Sequence, residues 1–106
     1  MPTIDFNNLD TAIHGQTRLG IISALCLNGT LDFTELKKRL STTDGSLGAH
    51  LKKLEELEYI FADKRFVDKR PKTTYSITDK GKSAFKKYLE SMQFLIDKIR
   101  ISEQLN

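Results

Sequence analysis

The sequence predicts a mainly helical domain with one small β-hairpin, an α+β fold. Three observations lead there. Leu47, Leu51, Leu54 and Leu57 repeat at helical spacing, and the stretch TTYSIT alternates polar with apolar residues. From Phe85 to Ile99, apolar residues return at three- and four-residue steps. With 106 residues, the chain can bury a single core and is too short for two, so one domain is expected.

The first helical signal is short, NNLDTAIHG, with Leu9, Ala12 and Ile13 apolar and Gly15 closing it. A longer helix is predicted from Thr17 to Leu27, with Leu19, Ile22, Leu25 and Cys26 on one face and Asn28-Gly29 as its stop. Gly20 within it costs about 1 kcal/mol relative to alanine. In LDFTELKKRLS, Asp32 and Glu35 have capping-box spacing, while Phe33, Leu36 and Leu40 share a face. STTDG then breaks the periodicity, and the leucine helix begins at Thr43 or Asp44. Two helices joined by a short glycine-containing turn outline a helix-turn-helix over about residues 32–58.

YIFAD and TTYSIT are strand candidates, placing a hairpin over about residues 59–78. Between them Lys64, Arg65, Lys69, Arg70 and Lys72 crowd a connection of about ten residues. Pro71, which has no N–H to donate, belongs near the tip and outside the ladder. Thr78 reads as an N-cap, and the last helix runs from Asp79 to about Ile101, roughly 33 Å at 1.5 Å per residue. Helices, helix-turn-helix, hairpin and long helix in this order make a winged helix-turn-helix with a C-terminal extension.

The segments FTELKKRL, TDGSLGAHLKKLEELEYI and KRPKTTYSITDKGKSAF carry a family likeness. Over about residues 9–90 the chain resembles the winged-helix DNA-binding domains of bacterial and archaeal transcriptional regulators, small stand-alone members of the MarR/ArsR-like superfamily. The resemblance implies binding to double-stranded DNA and control of transcription. Two departures stand out. Glu58 occupies the place where the family usually has glycine before the tyrosine that opens the wing. Gly48 and Ala49 stand where the family often carries serine and a longer polar or basic residue. A positive φ at position 58 would place Glu58 under strain.

Turning Leu47, Leu51 and Leu54 inward presents Ser46, Ala49, His50 and Lys53 outward, the face expected to meet base edges in a major groove. Ser46 and His50 can donate or accept, and Ala49 suits a thymine methyl. Thr43 and Ser46 lie at the positive helix end, where phosphate binds. Lys37, Lys38 and Arg39 on the preceding helix are further phosphate candidates. The hairpin cations suit phosphates or a narrow minor groove, whose negative potential draws arginine.

Charge is unevenly spread. Residues 1–33 carry a net −2, residues 34–72 a net +3 and residues 73–106 a net +2, so an anionic partner is expected at the middle of the chain. No apolar run reaches the length of a membrane span. A single cysteine excludes an internal disulfide framework and fits a reducing, cytoplasmic setting. Cys26, on an apolar face, is expected to be buried. Two separated histidines and one cysteine suggest neither a catalytic constellation nor a metal site, and no cofactor motif is present. The expected protein is not an enzyme. Tyr88, Leu89, Met92, Leu95, Ile96 and Ile99 form a stripe suited to pairing with a second copy, with help from around Phe6 and Leu9. The expected function is a sequence-specific homodimeric repressor. The alternatives are a protein-interaction module of a transcription assembly and a regulator answering to a small-molecule effector, for which the sequence carries no signature.

Overall fold

A computed structural model of the chain describes residues 9–105. Seven elements follow in order: α1 (Gln16–Asn28), β1 (Leu31–Asp32), α2 (Phe33–Leu40), α3 (Asp44–Glu56), β2 (Ile60–Val67), β3 (Arg70–Ile77) and α4 (Asp79–Leu105). The strands form one antiparallel sheet in the order β1-β3-β2. Ile21, Ile22 and Leu25 of α1, Leu36 of α2, Leu47, Leu51 and Leu54 of α3, and Leu31 and Ile60 of the sheet make the core. This is the predicted winged helix-turn-helix.

Local chemistry explains the helix ends. Gly29 closes α1 at φ 77°, its N–H donating to Leu25 O. Asp32 and Glu35 form the expected reciprocal capping box on α2. Thr43 Oγ1 accepts from Ser46 N at 3.2 Å to cap α3. Thr78 ties α4 to the end of the helix-turn-helix: its hydroxyl donates to Glu58 O at 2.6 Å and accepts from Gly81 N at 3.0 Å. Gly81 is required by closeness, because a Cβ there would lie 2.1 Å from Tyr59 O. At Gly20 an added Cβ would meet only the Leu40 side-chain end, at 2.7 Å, so the demand there is weaker and a shift of Leu40 would relieve it.

Several sequence expectations are corrected. Residues 9–15 form a hydrogen-bonded turn in place of a helix: Asp10 O accepts from Ile13 N and His14 N, and Asp10 Oδ1 accepts from Ala12 N. Extended backbone at Gly15 ends that turn just before α1 begins. Phe6, Asn7 and Asn8, which the prediction also used, lie outside the described residues. The buried face of α1 is Ile21, Ile22 and Leu25, and Cys26 is exposed. Although one side of Cys26 is open, partial burial raises its thiol above the ordinary range and Lys82 only partly opposes this. It is therefore not an activated thiolate. β1 is an added two-residue strand, pairing Leu31 with Tyr75 and Asp32 with Thr74. Finally, α4 runs four residues past its expected end.

The largest correction concerns the hairpin. Lys64 and Arg65 lie within β2, Arg70 and Lys72 within β3, and only Asp68 and Lys69 form the connection. Both have positive φ, 51° and 63°, as a two-residue type I′ turn demands. Pro71 sits inside the ladder opposite Phe66. Its missing N–H does no harm there. Val67 and Arg70 close the turn as the hydrogen-bonded pair, so the next pair turns the Pro71 nitrogen away from β2. On that side β1 reaches only as far as Thr74.

Candidate nucleic-acid interface

Helix α3 and the β2–β3 wing stand side by side. The α3 leucines point into the core, leaving Asp44, Gly45, Ala49, Lys52, Lys53, Glu55 and Glu56 exposed. The centre of the outward face is thus the row Gly45, Ala49, Lys52 and Glu56, displaced by about one residue from the predicted row. Ala49 and Lys53 remain outward. Ser46 and His50 are half-buried on the flank that faces the N-terminal turn. Lys52 was missed. Placing the face opposite the mean direction of the three buried leucines would have found it.

Arg18 explains the position of His50. Its guanidinium donates to Ala12 O at 2.6 Å and Thr11 O at 3.1 Å, and it meets His50 Nδ1 at 3.2 Å. Arginine has donors only, so Nδ1 accepts and the imidazole proton sits on Nε2. The same turn is held from two other directions. Tyr59 donates to Asp10 Oδ2 at 2.5 Å, and Tyr88 OH meets His14 Nδ1 at 2.8 Å. The hydrogen bond to Asp10 is the main cause that pushes the Tyr59 phenol up to about 12, with burial and the Asp10 charge adding to it. Nothing in the sequence marks these pairings, which bring together residues far apart in the chain.

Thr43 keeps its hydroxyl proton for an external acceptor, because its cap bond uses the oxygen as acceptor. Asp44, an acid at the positive end of α3, is paired to Lys37 at 2.8 Å, which offsets its repulsion of a phosphate. Lys38 and Arg39 are exposed. Gly45 and Gly48 have open space where a side chain would stand, with nothing within 4 Å of an added Cβ.

The wing divides its cations between two faces. Ladder register puts Ala62, Lys64 and Phe66 on one face with Tyr75, Thr73 and Pro71, and Arg65 and Val67 on the other with Lys72 and Arg70. Lys64 joins Lys52, Gly48 and Tyr75 in lining the groove between α3 and the wing, where Glu55 and Glu56 supply the opposing charge. On the other face, Arg65 is held by Asp63 at 2.9 Å and Lys72 lies 3.7 Å from Asp32. Lys69 stands in the exposed turn and Arg70 beside it. The predicted wing residues therefore all lie on the one hairpin, although not on one face.

A family model for the winged helix DNA-binding domain matches residues 17–96. The chain belongs to this family. The winged helix domain also has a likeness to an uncharacterized protein of Methanocaldococcus jannaschii, with 47% identity over 58 residues. That match covers 55% of this chain and 63% of the relative, so it spans less than two thirds of the relative's length. A transcriptional regulator homologue from Pyrococcus horikoshii superposes with a TM-score of 0.80 at 30% identity, covering 88% of this chain and 93% of that one. A MarR-family regulator structure from Enterococcus faecalis superposes with a TM-score of 0.74 over 100% of this chain and 98% of that one. At 21% identity this second likeness shows the fold alone. The winged-helix regulator fold supports DNA binding, and no described helix is long and apolar enough to cross a membrane.

Proposed function

We propose that this winged helix domain binds double-stranded DNA with sequence preference as a homodimer and represses transcription by occupying a promoter. The two open glycine positions on α3 carry the reading. Glycine within a helix costs up to about 1 kcal/mol relative to alanine, and the chain's own packing requires neither Gly45 nor Gly48. Close approach of another molecule's backbone accounts for both. Thr43, Ala49, Lys52 and Lys53 surround them, while Lys64, Arg65, Lys69, Arg70 and Lys72 extend the cationic surface along the wing. Ser46 and His50 would contact DNA at the edge of α3, with His50 presenting an Nε2 donor toward a purine N7 or a phosphate.

In a two-fold dimer, two α3 helices would read half-sites one turn, about 34 Å, apart. Selection of bound fragments from random duplex DNA tests the proposal directly. The expected result is a pseudo-palindromic motif whose binding weakens steeply with salt. Recovery of no motif, together with salt-insensitive or absent binding, would overturn it in favour of a protein-interaction module.

A further inference from the structure

The outermost pair of the wing before its closing residues is apolar. Phe66 is 79% exposed and stands opposite Pro71, also exposed, one step from the Asp68-Lys69 turn. Neither ring packs into the core. A hairpin end shaped only for solubility has no use for them, and one that reads a minor groove by charge alone needs only cations. Lys69 stands in the turn just beyond the rings, and Arg65 and Arg70 flank them from the opposite face of the hairpin.

Direction and reach point the same way. Phe66 lies on the wing face that carries Lys64 and Tyr75, the face lining the groove beside α3. It stands four residues beyond Ala62, about 13 Å along the strand. A half-turn of duplex, the step from a major groove to the neighbouring minor groove, is about 17 Å. Two paired backbones are about 4.8 Å apart before side chains are added, while an undistorted minor groove is only about 6 Å wide. The hairpin therefore cannot sink whole into that groove, but a single ring projecting from its face can.

Resting on the DNA-binding reading above, we infer that Phe66, backed by Pro71, is an apolar wedge that enters the minor groove between two base pairs and kinks the duplex. Arg65, Lys69 and Arg70 hold the flanking phosphates, and the kink opens the groove to the wing. The preferred step is pyrimidine–purine, TA above all, because it unstacks most easily. The complex bends toward the major groove by roughly 20–90°.

The test uses the full chain and an end-labelled duplex of alternating TA steps at low salt. Binding is followed by anisotropy and bending by energy transfer between the duplex ends. The wild type is expected to bind and to bring the ends closer. Phe66→Ala is expected to bind with the duplex left straight, and Phe66→Trp to restore the bend with its own emission quenched by stacking. Because Phe66 lies outside the core, the melting temperature of each variant should match the wild type. Binding without bending by the wild type, or equal bending by Phe66→Ala, overturns the wedge and leaves the DNA-binding reading standing. A change of oligomeric mass in Phe66→Ala also overturns it, by making the ring a contact between copies. Absence of any binding by the wild type removes both readings.

Discussion

Two neighbouring residues at the end of the helix-turn-helix carry local costs that can be measured. Glu58 takes φ 62°, the left-handed conformation for which an L side chain costs roughly 1–2 kcal/mol. Its carbonyl must face Thr78 for the Thr78 hydroxyl bond to form, so the strain is held in place by the start of α4. Glu58→Gly relieves the strain but loosens the unfolded chain, leaving an expected net gain of about 1 kcal/mol in denaturant unfolding. Tyr59, next along, makes stability depend on alkaline pH. Its folded pKa of about 12 is raised above the ordinary 10.0 chiefly because the neutral phenol donates to Asp10. The bond's contribution is whole below pH 10 and disappears as the pH rises to about 12. Tyr75 is also raised, mainly by burial and further by Glu55, so an alkaline decline alone would not single out Tyr59. Tyr59→Phe does so: it should cost about 1 kcal/mol at neutral pH and lose its deficit relative to the wild type across that window.

At the scale of elements, α3 sets stability against recognition. Gly48→Ala should stabilise the free protein by about 1 kcal/mol, and Gly45→Ala, near the helix start, by less. The combined variant should melt at a higher temperature than the wild type yet bind DNA more weakly by about 1–3 kcal/mol, the scale of a lost base contact. Higher stability with unchanged binding would detach the glycines from DNA. The elements themselves were readable wherever one residue type answers to one local need. Asp32, Thr43 and Thr78 announce helix starts, and Leu47, Leu51 and Leu54 announce a buried face. The wing strands were read too short because all their residues beyond Asp63 and before Thr73 are exposed, leaving no buried alternation to follow. β1 escaped notice because two residues carry no periodicity and become a strand only by pairing with β3. The orientation of His50 was hidden for a different reason, since Arg18 reaches it from another helix.

The whole molecule is elongated, 62 × 25 × 22 Å, and its apolar surface is not closed by its own fold. Twenty-seven residues of α4 reach about 40 Å, longer than the core needs. Tyr88 is buried within its own chain, where it meets His14, so it is not available to a second copy as the sequence suggested. Beyond it the helix opens: Leu89, Ile96 and Ile99 are exposed, Met92 and Leu95 half-buried. Met92, Leu95 and Ile99 follow alternating three- and four-residue steps, the seam of a helix pair, with Leu89 and Ile96 beside it. None of the residues of this seam belongs to α3 or to the wing, so a proposed dimer through it uses other side chains than those assigned to DNA. Truncation after Leu89 keeps Tyr88 and the Thr78 anchor, so the domain should still melt cooperatively while light scattering reports a monomer. Ile96→Glu with Ile99→Glu should give the same mass without shortening the chain. Both variants should keep weak, salt-sensitive binding to a single half-site and lose the affinity gained from two linked α3 helices. A dimeric mass in both variants would place the contact between copies elsewhere.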